Sequence, residues 1–389
     1  MNIKQIAKGY KGYVIDLRRE FHKHPESSLN EFKTSQKIKS ELKKLNIPYI
    51  SAANTGVIAD IKGKLPGKIV ALRADIDALE INELNDIEYR SQNPGLMHAC
   101  GHDAHTASLL GAARILVDVR DNINGTIRLL FQPAEEIGKG AKALIADGAM
   151  DGVDGVFGIH VSSNLDCGKV SVENGPRMAC ADVFKITIKG KSGHGARPHQ
   201  AIDALVAACA SVLNLQTVVS REINPLEPVV ITVGSIKSGT RFNIIANQAV
   251  LEGTSRCFGE EIRQQIFSAI DRVIKYTAQA YRAEAELEYD FTTSPLINDD
   301  KCSEIGAGAV KKILSEKALA HVGRTLGTDD FSEYLKKAPG IYALVGAGNK
   351  SKGAIYPHHH ERFNIDEDSL EISSALYAQY ALDFLESSL

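Results

Sequence analysis

The segment ADVFKITIKGK, residues 181–191, alternates apolar and polar side chains like a strand with one face buried and one in water. The chain before it reads differently. KIVALRADID (68–77), GTIRLLFQ (125–132) and GVFGIHV (155–161) are short, nearly continuous apolar runs separated by helical patterns. Such runs indicate a largely parallel sheet covered by helices on both faces. From 182 onward the order is strand, helix over 200–219, strands at 228–239 and 247–258, helix over 259–280 and strand at 283–291. This β-α-β-β-α-β order is the split-βαβ arrangement and predicts a separate small domain.

Working outward, Ile3, Ile6, Tyr10, Val14, Leu17 and Phe21 predict an opening amphipathic helix, and Phe32 to Leu45 a second, lysine-rich one. GVIADIKG (56–63) and KIVALRADID flank the turn segment KLPG, which suggests a hairpin. Helices are expected over 106–119 and 138–147. After residue 292 the first pattern resumes: a helix over 301–315, a short strand near His321, a helix over 329–337, strand IYALVGAG (341–348) and a final helix over 370–386. The expected fold class is α/β: a discontinuous catalytic domain, 1–181 and 293–389, with a mixed, largely parallel sheet. An α+β lid or dimerisation domain, 182–292, is inserted into it.

The chain has 389 residues, enough for two domains. Its 45 basic and 48 acidic residues are well mixed, which argues against a nucleic-acid footprint. No apolar run approaches the roughly 20 residues of a membrane span, and the lysine-containing N-terminus lacks a signal-peptide core. Six scattered cysteines read as reduced thiols of a cytoplasmic protein.

Chemistry gathers at the predicted strand ends. The strand through Leu72 leads into Asp75 and Asp77, the next into Glu135 and Glu136, and the third into His160. Ligands collect beyond the carboxyl ends of such strands. MHACGHDAHT (97–106) adds Cys100 and His102, in a Cys-x-His spacing that puts both on one side of an extended loop. Taken singly, Cys100 is more often a small buried hydrophobe and His160 a core histidine. Glu135 and Glu136 could serve a helix N-terminus, and PHHH (357–360) could be a solvated loop. Their convergence on one edge favours a metal site, for zinc or for manganese, cobalt or nickel.

The sequence also resembles the dimetal amidohydrolases related to aminoacylase and carboxypeptidase G. Within them it is most similar to the branch of N-acyl-amino-acid hydrolases, hippurate hydrolases, N-acetyldiaminopimelate deacetylases and auxin-conjugate hydrolases. The resemblance spans essentially the whole chain. It rests on RREFHKHPESSLNE, ALRADIDALE, MHACGHDAHT, FQPAEE, FGIHV, GKSGHGARPH, FNIIANQA, GTDDFSEY and HHHERFNIDE, in family order. It implies two divalent metal ions held by Cys100, His102, Glu136, His160 and His359, with Glu135 as general base and Asp77 orienting the site. His98, His105, His358 and His360 would be supporting or structural; Asp75 and Asp103 stay unassigned. His194, supplied by a partner subunit, would bind the developing oxyanion, which implies at least a homodimer. Asn243 and Arg256 match substrate-facing positions. The implied reaction is hydrolysis of an N-acyl amino acid; a dipeptidase or carboxypeptidase on the same scaffold, or a non-catalytic metal-binding homologue, are the alternatives. Glu80, Cys257, Asp329 and Glu361 depart from the family pattern without removing a ligand.

Overall fold

The computed structural model describes residues 2–388, and they form two compact units. The first comprises residues up to Gly175, Asn298–Gly323 and the segment from Asp330 onward; the second comprises Pro176–Ile297 and Arg324–Asp329. The second unit therefore starts and ends slightly outside 182–292 and takes in 324–329, which the sequence reading left with the first.

The first unit is built on a seven-stranded mixed sheet in the order 49–52, 56–62, 124–132, 65–75, 155–166, 340–348, 170–171. The four strands Asn124–Gln132, Leu65–Asp75, Gly155–Asp166 and Gly340–Gly348 run parallel, with antiparallel strands at both margins. The expected 56–75 hairpin does not form. Gly56–Lys62 and Leu65–Asp75 both pair with Asn124–Gln132, which lies between them. The short connection is pinned on that third strand instead: Gly63 and Lys64 donate their amides to the carbonyls of Gly125 and Ile123.

Helices Ile3–Lys23, His102–Asp118 and Asp368–Glu386 pack on one another beside this sheet. The middle helix is buried along nearly its whole length, which explains its small residues Ala104, Ala107, Ala112 and Ala113. At Gly111 a β-carbon would stand 2.6 Å from both Val14 Cγ2 and Ser374 Oγ, so the three helices meet where no side chain fits. Three expectations need correction. The helix near 138–147 is shorter, Gly140–Ala146, and that over 329–337 is a single turn, Ser332–Leu335. Near His321 there is no strand among the described residues, only isolated bridges at Leu319 and Thr325.

The second unit is a four-stranded antiparallel sheet, order 230–238, 248–256, 181–189, 284–293, with helices Ala204–Thr217 and Glu260–Ala280. Phe184, Ile186 and Ile188 form the buried side of the 181–189 strand, while Val183 and Lys185 face out. The alternation read from the sequence is thus the amphipathicity of a sheet covered on one face. The helical stretch Ala204–Glu222 is, by length and a mean hydropathy of 1.3, apolar enough to cross a membrane, which the sequence reading did not register. Its Ala204, Ala207, Ala208, Ser211 and Leu215 are buried within the unit, whereas Leu205, Val206, Leu213 and Val219 are exposed.

One buried ion pair anchors this unit. The Arg263 guanidinium donates to both carboxylate oxygens of Asp182, at 2.6 to 3.1 Å, and Asp182 is fully buried. Arg263→Ala leaves a buried carboxylate without its partner and is expected to cost about 3–5 kcal/mol. Urea unfolding followed by circular dichroism should show the earlier transition. Lys185→Ala, which removes the exposed pair with Glu288, should leave the transition in place.

Candidate metal centre

Three neighbouring parallel strands deliver the acidic and imidazole groups. Leu65–Asp75 ends on Asp75, with Asp77 two residues on, and Asn124–Gln132 leads through Pro133 and Ala134 to Glu135 and Glu136. His160 lies inside Gly155–Asp166 rather than at its end. It still reaches the edge, because pairing with the 65–75 strand stops at Arg73↔Gly158 and leaves His160 level with Asp75. The His160 ring stands 6.2 Å from that of His102 and 4.6 Å from that of His105.

Cys100 and His102 do not lie in an extended loop. Gly101, at φ +93°, makes a left-handed turn between them, and His102 is the first residue of the helix His102–Asp118. A β-carbon at Gly101 would stand 2.5 Å from Val161 Cγ2, so only glycine allows this approach to the His160 strand. Ala134 also occupies the left-handed region, at φ +54°. For a residue with a β-carbon that conformation stores about 1–3 kcal/mol, and it turns the chain sharply just before Glu135.

Hydrogen bonds orient the donors. His102 Nδ1 faces two acceptors, the Asp77 carbonyl at 3.0 Å and Asp77 Oδ1 at 3.2 Å, so it carries the proton. The lone pair is left on Nε2, as in metal-binding histidines generally. Asp77 Oδ2 accepts from Ser28 Oγ at 2.7 Å and from the Glu136 amide at 3.1 Å. His160 Nδ1 bonds its neighbour's carbonyl, Val161 O, at 2.6 Å, which aims Nε2 at Cys100 Sγ, 3.5 Å away. The Val161 amide donates to His105 Nε2, and His105 Nδ1 donates to Asp75 Oδ1 at 2.6 Å. His359 is held by its amide on Ala99 O and places Nε2 3.7 Å from Glu136 Oε2.

Whether cations suit this cluster is decided by its donors. His102 Nε2 is buried and makes no hydrogen bond, yet Asp75 Oδ2, Glu135 Oε2 and Glu136 Oε1 each lie 3.8 Å from it. Glu136 Oε1 is likewise buried without a hydrogen bond. Burial, helped by Asp77 and Asp75 and opposed by His102 and Cys100, raises Glu136 to about 7. Burial opposes charge on His102 most strongly, but Asp75, Cys100 and Asp77 outweigh it and raise that ring well above its ordinary value. Burial drives the Cys100 thiol well above its usual range. Burial, with His105 and His358 nearby, holds His160 neutral. A positive charge is wanted among these groups, and divalent cations fit.

The ligand atoms fall into overlapping sets, each lying within 4.8 Å of one another: Cys100, Glu136 and His359; His102, Glu135 and Glu136; Cys100, His160 and His358. Cys100 and Glu136 recur, and so does His102, which also groups with Asp75 and His105, so the sets interlock. The first unit thus brings Cys100, His102, Glu136, His160, His359, Glu135 and Asp77 into one cluster. His358, whose Nδ1 is buried without a partner, and Asp75 belong to the same neighbourhood. Sequence analysis assigns Asp75 no role, although its place at a strand end beside Asp77 is the signal for one.

The remaining candidates lie in the second unit. His194 and Asn243 are neighbours there: His194 pairs with Ile244, and the Gly195 amide bonds the Asn243 carbonyl at 2.9 Å. Both are exposed. Arg256 is not with them. It ends the strand Gln248–Arg256, whose first residue lies nearest Asn243 in the chain, and eight residue steps of strand span about 26 Å.

Comparisons with known proteins agree with this construction. Residues 71–383 match the profile of peptidase family M20/M25/M40. The chain is 40% identical over 388 residues to thermostable carboxypeptidase 2 of Saccharolobus solfataricus, covering 98% of each chain. It is 44% identical over 301 residues to the N-acyl-L-amino acid amidohydrolase of Geobacillus stearothermophilus, covering 77% of this chain and 81% of that one. Among solved structures, the Bacillus subtilis YXEP protein, described as a dinuclear metal-binding peptidase of the M20 family, superposes with a TM-score of 0.86. That match has 35% identity and covers 97% of this chain and 99% of the other. The chain belongs to peptidase family M20/M25/M40 and is a metallohydrolase of that family with a dinuclear metal-binding cluster.

Proposed function

We propose that the protein hydrolyses the amide bond of N-acyl-L-amino acids, with Glu135 as the general base. One observation carries the reading: Glu135 Oε2 stands 3.8 Å from His102 Nε2, within reach of the ligand atoms, while Cys100, Glu136 and His359 form a ligand set without it. A structural site needs four closed ligands and no adjacent base. Two divalent cations, when bound by Cys100, His102, Glu136, His160 and His359, supply Lewis acidity that lowers the pKa of water and polarises an amide carbonyl. Zinc suits the thiolate, and manganese, cobalt and nickel suit the imidazoles and carboxylate.

Within that frame Glu135 takes the proton of the attacking water and returns it to the departing amine. Asp77, fixed by Ser28 and the Glu136 amide, keeps the His102 proton on Nδ1. His194 donates to the oxyanion, and Arg256 and Asn243 hold the amino-acid part. Arginine grips a carboxylate with two parallel bonds, which favours an acylated amino acid over a simple amide. The relative in Geobacillus stearothermophilus carries that activity in its name; the one in Saccharolobus solfataricus is named a carboxypeptidase and supports the alternative of peptide substrates.

The active form in this reading is a homodimer in the cytoplasm, with the second unit as the dimerisation element. Two features support it. The exposed Leu205, Val206, Leu213 and Val219 form an apolar helix face in want of a partner. The separation of Arg256 from His194 and Asn243 lets one chain supply the first and its partner the other two.

Metal-stripped protein should be inactive, and reconstitution with zinc, manganese, cobalt or nickel in turn should restore hydrolysis of N-acetyl or N-benzoyl amino acids in preference to free dipeptides. The reverse preference would make it a peptidase. Full metal occupancy without hydrolysis of any amide would leave it a metal-binding homologue. Glu135→Gln should keep two metals per chain by elemental analysis and lose about 10²–10⁴-fold in turnover, while Glu136→Gln should lose metal. Subunits carrying His194→Ala and subunits carrying Glu135→Gln, each inactive alone, should recover activity when mixed and exchanged. No recovery in verified heterodimers would remove the shared site.

A further inference from the structure

Glu31 lies in the HPESSLNE stretch, far from the ligands in sequence, and is fully buried. It occupies the N-cap position of the helix Phe32–Lys44, where a short polar side chain such as Ser, Thr, Asp or Asn ordinarily caps its own helix. It does not do so. That task falls to Glu26, whose carboxylate accepts the amides of Lys33 and Thr34 at 3.1 and 2.9 Å.

The Glu31 carboxylate turns the other way. Oε1 accepts the Ala134 amide at 2.9 Å and the Leu29 amide at 3.0 Å, and Oε2 accepts the Thr55 hydroxyl at 2.6 Å. Ala134 is the left-handed residue that immediately precedes Glu135 and Glu136. On its far side, the Ala134 carbonyl accepts from the amides of Lys139 and Gly140, which closes the turn around the two glutamates. A strained residue persists only where its surroundings over-determine it. Here the amide side of that constraint is a single carboxylate from another part of the chain.

We infer that Glu31 is a positioning residue: by holding the Ala134 amide it fixes the left-handed turn that aims Glu135 and Glu136 into the metal centre. This rests on the functional reading only for the task given to Glu135; the aim of Glu136 is a matter of metal binding alone. Partners of this kind, one step behind the ligands, typically change metal affinity or activity by about 10–100-fold when removed.

The test is a titration of cobalt(II) into metal-stripped full-length protein, followed by visible absorption, with turnover measured alongside. Glu31→Leu should weaken cobalt binding by about 10–100-fold and lower kcat at saturating cobalt, with KM little changed. Glu31→Gln, which keeps an oxygen for the Ala134 amide and can reverse the bond to Thr55, should restore both. Ala134→Gly placed in the Glu31→Leu background should also recover cobalt affinity, because glycine adopts the left-handed turn without a clamp. A merely structural role would lower the melting temperature but would not be relieved at position 134. Should Glu31→Leu not fold, Thr55→Val, which frees one oxygen of the carboxylate, should weaken cobalt binding in the same direction. Wild-type cobalt affinity in Glu31→Leu or, failing that, in Thr55→Val overturns the proposal, as does a double variant no better than Glu31→Leu. Cobalt binding is read without substrate, so a wild-type protein that hydrolyses no N-acyl amino acid would remove the functional reading and leave this result standing.

Discussion

The first unit is organised around a buried negative charge that cannot stand alone. Asp77 is fully buried, and burial by itself would drive its carboxyl upward; the His102 ring, Ser28 and the Glu136 amide outweigh that and hold it below its ordinary range. Those partners come from separate parts of the chain: the loop between the first two helices, the helix that opens at His102 and the turn after residue 132. Satisfying one carboxylate therefore requires all of them to meet. The metal ligands ride on the same segments, so the polar network and the cation site are parts of one construction.

A second buried network stands beside the first. Arg18 and His22 both reach Asp103 Oδ2, at 2.9 and 2.7 Å, and His22 Nε2 lies 3.1 Å from Glu83. Asp103 follows His102 in the helix, so the opening helix of the chain braces the first turn of the ligand-bearing one. Arg73, Asp75 and His105 form a comparable chain under the sheet edge, with Asp330 accepting from both Arg73 and Gln132. Such groups tolerate the low dielectric of the interior only when paired, which gives them high geometric definition. A cluster whose ligand atoms lie within a few ångströms of one another has use for that definition.

Much of the element pattern was legible because it is local. The run through KIVALRADID is apolar on both sides since it sits in the middle of a covered sheet, and ADVFKITIKGK alternates since its sheet is covered on one face. The hairpin at KLPG was misread for the opposite reason. Two strands joined by a short turn ordinarily pair, and only the arrival of residues 124–132, some 60 positions later, separates them. The helices near 140 and 332 are shorter than expected because Gly138, Lys139 and Asp147, and Asp329, Asp330, Phe331, Lys336 and Lys337, lie outside the helical turns.

Residue type and order determined which side chains could serve a metal centre, because thiol, imidazole and carboxylate chemistry is a property of the residue itself. Sequence also determined that Asp75, Asp77, Glu135 and Glu136 follow strands, hence that these carboxylates gather at one sheet edge. Only the tertiary structure decided how they are aimed. The left-handed turns at Gly101 and Ala134, the proton on His102 Nδ1 and the reach of Glu31 to a distant amide depend on contacts between segments far apart in the chain. No local pattern encodes such contacts, since each is set by what the completed core places opposite.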